Sequence, residues 1–228
     1  MSARRLVLLL ACCIALPAAA GDRLLLAGGE YADDAYYSYL GLIVTGRAGE
    51  HGRGILQRYW LDHFGYEYDG GAGRISARAQ GAEAAIGYGG SSASGWANVS
   101  IGLRFTDTKL SPDDPTAEAR GNQVGVKLQL QGEREFAPGW RVGAIGSVAN
   151  QQGEYWSRLR LTHGRTPAVS IGGEVLARGN NESQSTAAGL LLILKPADSQ
   201  WSVGFKAGAR RQDGDESAYG GIELGYAF

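Results

Sequence analysis

From Leu24 onward the chain runs through stretches in which every second residue is apolar, separated by clusters of glycine, asparagine, aspartate or proline. A two-residue period sends successive side chains to opposite faces of an extended strand, so the pattern predicts an all-β meander. Twelve strands are predicted, over 24–31, 36–45, 55–68, 75–89, 96–107, 123–136, 140–150, 154–162, 168–178, 184–194, 201–211 and 217–228. The sixth alternates most cleanly, with Val124, Val126, Leu128 and Leu130 on one face and Lys127, Gln129, Gln131, Glu133 and Glu135 on the other. In the eleventh, Trp201, Val203, Phe205, Ala207 and Ala209 oppose Ser202, Gly204, Lys206, Gly208 and Arg210.

Alternation alone does not say which face points inward, because a soluble sandwich or barrel buries its apolar face and wets the polar one. Three features favour an apolar face turned to lipid. Most segments have about ten to thirteen residues, near the length of a membrane-spanning strand. The polar face is rich in glycine and small residues, which suits a curved, crowded interior. Aromatics gather at strand ends, as a membrane girdle requires. The last strand, Ser217–Phe228, carries Glu223, then Gly225, then Tyr226 and Phe228 around Ala227. This resembles the C-terminal signal of outer-membrane barrels. The fold expected is one up-and-down antiparallel transmembrane β-barrel of about 12 strands.

With both termini below, odd strands rise and even strands descend. Tyr88, Phe136, Trp140, Trp201, Tyr226 and Phe228 then form a lower girdle, and Trp96, out of phase, is assigned to a turn. Tyr31, Tyr36, Tyr68, Phe105 and Tyr155 are the candidates for an upper ring. The longest connection, Thr108–Asn122, lies above; Gly46–Gly54 is long for the lower side. Ser217–Phe228 is expected to pair with Leu24–Tyr31 and Trp201–Arg211, with Glu223 near Lys206 or Arg210.

Composition adds the compartment. Arg4 and Arg5 precede the apolar run Leu6–Leu16, Pro17 and three alanines, which reads as a secretory signal peptide over 1–20 and leaves the barrel over 21–228. Cys12 and Cys13 both fall in that leader, so no disulfide or cysteine ligand is expected in the exported chain. Without Arg4 and Arg5 the formal charge moves from −1 to −3, which gives no footprint for nucleic acid. The 36 glycines have no collagen period and suit tightly curved sheet.

The polar face supplies the candidate lumen charges Glu83, Arg104, Lys127, Glu133, Glu135, Arg141, Arg158, Arg160, Glu174, Lys206, Arg210 and Glu223. With signs so mixed, mutual pairing that fills the lumen is the first reading and a small polar channel the second. Three histidines test a hydrolytic alternative. His51 and His163 fall in lower connections, and His63 lies in a strand with Asp62 on the opposite face. No Gly-x-Ser-x-Gly elbow is present. The acidic groups Asp33 with Asp34, Asp113 with Asp114, and Asp213, Asp215 with Glu216 lack the spacing of a calcium loop and read as solvated. No catalytic residue, metal site or cofactor is assigned.

The run Leu110, Ser111, Pro112, Asp113, Asp114, Pro115, followed by Gly121 and Gly125–Lys127, resembles the cellulose biosynthesis protein BcsS family. Arg58 and Trp60 ahead of Tyr66 and Tyr68, the segment Tyr155–Arg158, and Ile171–Glu174 leading to Gly179 and Asn180 extend the resemblance over most of the exported chain. Where the family pattern has a proline before the glutamate of the ninth segment, this chain has Gly173, so nothing is carried over for Glu174. The resemblance implies an envelope protein associated with bacterial cellulose production, and it supplies no catalytic residue. The expected function is non-enzymatic support of cellulose biosynthesis or export, with outer-membrane lipid, a glycan and other secretion components as partners. The alternatives are a small-solute porin and a lipid- or glycan-modifying enzyme. Trp60, Tyr66, Tyr68, Tyr155 and Trp156 are the candidate sugar-stacking rings, since aromatic faces pack on pyranose rings; girdle or barrel packing is the competing role.

Overall fold

Alternation sorts the chain into twelve strands, β1 (Arg23–Ala32), β2 (Ala35–Thr45), β3 (Arg53–Gly70), β4 (Gly73–Ser92), β5 (Gly95–Ser111), β6 (Gly121–Ala137), β7 (Trp140–Ala149), β8 (Tyr155–Thr166), β9 (Val169–Gly179), β10 (Gln184–Leu194), β11 (Trp201–Gln212) and β12 (Asp215–Ala227). This computed structural model describes residues 23–46, 53–70, 73–166 and 168–228. The expected leader over 1–20, most of the lower connection 46–54 and His51 lie outside the described residues. No helix among the described residues is long and apolar enough to cross a membrane.

Each strand pairs antiparallel with its sequence neighbours, and β12 returns to β1, giving a closed barrel without a free edge. The expected partners of the last strand are found: Leu25 faces Tyr226 across one seam and Trp201 faces Tyr226 across the other. Backbone bonds Arg23 N to Phe228 O (3.0 Å) and Phe228 N to Arg23 O (2.9 Å) carry the seam to the last residue. The end of the barrel that holds Arg23 and Phe228 is termed lower, and the other end upper.

Burial fixes the sense of the alternation. Leu103, Val124, Leu130 and Leu190 stand outward, Leu190 with 77% of its surface exposed, while Glu83, Arg104, Thr106 and Glu174 are buried inside. A water-soluble barrel would invert that arrangement; a contiguous apolar outside with a polar inside is the membrane barrel pattern. An arginine at Leu190, midway along β10, should raise the free energy of folding into lipid vesicles by roughly 2–4 kcal/mol. Gln80→Arg, on the outer face of β4 above the apolar belt, should leave vesicle folding close to that of the parent. Urea titration of folding into vesicles checks both.

Three expectations are corrected. β3, β4, β5 and β6 have 18, 20, 17 and 17 residues and extend beyond the expected spans 55–68, 75–89, 96–107 and 123–136. Their alternation continues past the apolar belt as polar sheet, with Thr106 and Thr108 inside and Asp107 and Lys109 outside, so one wall stands taller than the rest. Trp96 belongs to β5, whose first residues extend below the belt, and pairs with Ser91 and Glu133. His163 belongs to β8, where its ring lies 4.6 Å from that of Trp140.

Candidate functional site

The lumen holds a cavity of about 360 Å³ that runs from an aliphatic lower zone, with Leu26, Ile43, Ile145 and Ile193, to a polar upper mouth at Tyr66, Asn180 and Gln212. That volume lies in the range of small-ligand sites. The side formed by β9, β10, β12 and β1 is filled near the top by Ala32, Leu176, Ala187 and Tyr219, with Trp156 packed against them. Residues of every strand except β4 line the cavity, and most of its aromatic side chains come from β2 and β3.

Those two strands supply aromatic side chains at alternate positions: Tyr37 and Tyr39 from β2, and Trp60, Phe64 and Tyr66 from β3. Trp60 reclines over Gly41 of β2, where an added Cβ would overlap its ring. Tyr39 reclines over Gly28 of β1, where a Cβ would meet its ring at 2.7 Å. The two glycines let the rings lie against the wall instead of standing out into the cavity. Tyr39 and Trp60 are stacked, with centroids 4.7 Å apart and planes at 12°. The Trp60 indole donates to Tyr37 Oη (3.1 Å), and the Arg58 guanidinium carbon sits 4.6 Å from the Trp60 ring centre.

Charges occupy the same layer in two groups. On the tall wall, Glu83 bridges Arg58 and Lys127 at 3.0 Å each, and Arg104 bridges Asp62 (2.8 Å) and Glu154 (2.7 Å). On the far wall, Glu223 takes Arg158 (2.9 Å), Arg160 (2.7 Å) and Lys206 (3.3 Å), while Lys206 also reaches Glu30 (2.7 Å). Glu174 receives Arg160 and the Tyr219 hydroxyl. Arg210 meets Asp34 at 3.4 Å, so Glu223 lies by Lys206 and not by Arg210. Glu133, Glu135 and Arg141 share the inward phase but sit half-exposed at the lower rim, so they are rim charges and not part of the enclosed lumen.

The upper mouth is spanned by side chains. Asn180, after β9, donates to Tyr66 Oη (2.9 Å) from the opposite side of the ring of strands, and Gln212 of β11 donates to the Glu67 carbonyl oxygen (2.6 Å). The connection 112–120 folds inward. Ala117 and Ala119 are buried, Ala117 against Tyr68, Ile75 and Ala77, and the Glu118 N–H donates to Glu182 (2.7 Å). Asp114 accepts from the Thr116 N–H (3.0 Å), the Thr116 hydroxyl (2.6 Å) and the Tyr68 hydroxyl (3.3 Å). These bonds to the charged form hold the Asp114 carboxyl below the usual range.

The five candidate sugar-stacking rings thus divide, for a reason set by strand periodicity. Trp60, Tyr66 and Trp156 face the lumen. Tyr68 faces it too, buried beneath the folded connection, and is not an upper girdle ring. Tyr155 shares the outward phase of Leu159 and Leu161 and borders the cavity at its upper rim, beside Gly179 and Asn180. Tyr37, Tyr39, Arg58, Asp62, Glu30 and Arg178 join the lumen without having been expected there. Arg58 and Asp62 were legible, because they share the phase of Trp60; Tyr37 and Tyr39 were not, because both faces of β2 are largely apolar.

Among the described residues the histidines do not assemble a catalytic pair. His63 is on the outer face, with its Nε2 3.2 Å from Tyr36 Oη, and the Ser38 hydroxyl donates to the His63 carbonyl oxygen and not to its ring. Asp62 points inward to Arg104. Among the described residues no group of three or more His, Cys, Asp or Glu side chains is placed to hold a metal ion. The acidic loop residues are not all solvated as expected: Asp34 pairs with Arg210, and Asp213 accepts from the Ser183 hydroxyl (2.6 Å) and the Gln184 N–H (2.8 Å).

Solved structures share this architecture at low identity. The chain is similar to the KdgM porin in complex with disordered oligogalacturonate (TM-score 0.52, 12% identity, 90% of this chain and 99% of that chain covered). It is also similar to the translocator domain of the autotransporter NalP from Neisseria meningitidis (TM-score 0.54, 11% identity, 98% and 94% covered). LpxR from Salmonella typhimurium is a third similar structure (TM-score 0.51, 10% identity, 89% and 99% covered). Such likeness shows the outer-membrane barrel fold alone. No curated protein matches the sequence. A family model described as cellulose biosynthesis protein BcsS matches residues 24–228.

Proposed function

The chain belongs to the cellulose biosynthesis protein BcsS family, and from that premise we propose that it is a non-enzymatic barrel of the outer membrane that supports production or export of cellulose or a related exopolysaccharide. The observation that carries the reading is a closed barrel with an apolar belt whose lumen keeps an aromatic-walled cavity. The barrel sits with its lower end in the periplasm, exported by the segment 1–20, and the glycan meets Trp60, Tyr66 and Trp156 from within. The paired lumen charges hold the wall in place and offer hydrogen bonds to hydroxyl groups.

Removing the gene from a cellulose-producing host that carries it should lower cellulose yield or its appearance outside the cell. Re-expression of the chain should restore both. Unchanged yield and export would sink the proposal. A His63→Gln variant should complement as well as the parent; failure by a correctly folded variant would instead favour an enzyme acting on lipid or glycan. A small-solute porin is the second reading, favoured by a cavity that runs most of the barrel's length, and the spanned upper mouth counts against it.

A further inference from the structure

Six rings form an unbroken series along the lumen. From Trp60 the contacts run to Tyr39 (4.7 Å), Tyr37 (5.7 Å), Phe64 (6.5 Å), Tyr66 (6.4 Å) and Tyr68 (6.1 Å), measured between successive ring centres. The series climbs from mid-barrel to the upper mouth on β2 and β3 alone. Its first five members border the cavity, and the sixth is sealed under the connection 112–120.

A ring series confined to one wall is not needed to fill a barrel. The opposite wall carries ion pairs and, near the top, a compact cluster of mixed aliphatic and aromatic residues, without such a track. Rings that recline on Gly28 and Gly41 form part of a continuous aromatic surface along the cavity wall. That surface suits a ligand with flat apolar faces and polar edges. A β-linked glucan in extended form has this shape: the C–H faces of its pyranose rings stack on aromatics, and its equatorial hydroxyls point sideways to hydrogen-bonding groups.

Charge selects further within glycans. Each of the eight lumen cations among the described residues has a carboxylate within 3.4 Å, and the seven carboxylates leave the lumen close to neutral. An acidic polymer is drawn by a field of uncompensated cations, which this lumen does not present.

The geometry points to the Trp60–Tyr39–Tyr37–Phe64–Tyr66 wall as a binding track for a single uncharged, β-linked glucan chain, with Tyr68 as a further station that opens only when the connection 112–120 lifts. This rests on the glycan reading of the preceding subsection and names the chemical class and the residues that read it.

The test is calorimetric titration of the purified full-length barrel in detergent micelles, with cellohexaose as the probe and an oligogalacturonate of equal length as comparator. Cellohexaose should bind, and the acidic oligomer should bind at least several-fold more weakly. Trp60→Leu and Phe64→Leu should each weaken cellohexaose binding roughly two- to tenfold, while Trp60→Phe and Phe64→Tyr keep most of it. Heat-modifiable migration on gels checks that each variant is a folded barrel. The inference is overturned if cellohexaose binds neither the intact barrel nor one with 113–119 replaced by a short linker. It is equally overturned if ring removal leaves binding unchanged, or if the acidic oligomer binds as tightly. Loss of cellulose on gene removal without cellohexaose binding would sink the track and leave the proposed function standing; binding without any cellulose phenotype would do the reverse.

Discussion

A barrel in which residues 113–119 are replaced by a short Gly-Ser linker should carry a steady ionic current in a planar bilayer, several-fold above that of the intact chain. The connection is held over the upper mouth by few contacts, and they are of two kinds. Small apolar groups, Ala117 and Ala119, are buried, the former against Tyr68 and Ile75 at the top of the tall wall. Polar bonds tie the same segment down at its root through Asp114 and on its far side through Glu118, whose N–H reaches Glu182 and whose carboxylate accepts from Asn181. Beneath it remains the bar formed by Tyr66 with Asn180 and by Glu67 with Gln212. The effects should therefore be ordered. Asp114→Ala should produce brief openings, loop replacement longer ones, and loop replacement with Asn180→Ala the highest conductance. A steady current through the intact barrel, or no change on removing both obstacles, would show that the mouth is not what limits passage.

Acid gives an independent handle on the same latch. The Asp114 carboxyl is held below its ordinary range mainly by the Thr116 hydroxyl and N–H. A group depressed in the closed state stabilises closure fully above its open-state value, about 3.9, and that contribution is lost as pH falls through the lower, closed-state value. Between about pH 5 and 8 this group should leave the current unchanged, and openings should multiply only below about pH 4. Asp114→Asn, which cannot carry the charge, should open at neutral pH and lose that part of the acid response.

Nearly all of the barrel was legible in the chain, because membrane strands expose period-2 alternation directly and no tertiary contact has to override it. Glu223 beside Lys206 follows from phase alone once β11 and β12 are adjacent. The heights of β3 to β6 were not legible. A strand that leaves the lipid stays a strand, but its outward residues turn polar, as at Asp107 and Lys109, and the sequence then looks like a loop. The track was half visible. β3 has Trp60, Phe64 and Tyr66 in phase with Arg58 and Asp62, whereas β2 is apolar on both faces and gives no sign that Tyr37 and Tyr39 point inward. The folded connection was hidden for a different reason: Ala117 and Ala119 sit within a polar string of Pro, Asp, Thr and Glu, and a buried methyl has no sequence signature there.

Glu83→Ala should destabilise the barrel more than any other single substitution in the lumen wall. The Glu83 side chain is buried, and it separates the Arg58 guanidinium from the Lys127 ammonium, with 3.0 Å to each; both cations are themselves nearly inaccessible to solvent. Deleting the carboxylate leaves two like charges facing one another with little water to screen them, and breaking a buried pair in this way costs about 3–5 kcal/mol. Restoring neutrality should matter more than restoring the bond. Glu83→Ala combined with Lys127→Met leaves Arg58 alone with Gln129 and should recover a large part of the loss, a coupling that a double-mutant cycle measures directly. The exposed pair Arg141 with Glu135 at the lower rim is the internal control, since removing it should cost less than about 1 kcal/mol. Urea titration of folding into lipid vesicles reads all of these. A cost for Glu83→Ala as small as that of the rim pair would mean that water reaches this layer and that the charges line an aqueous lumen instead of bracing a dry wall behind the aromatic track.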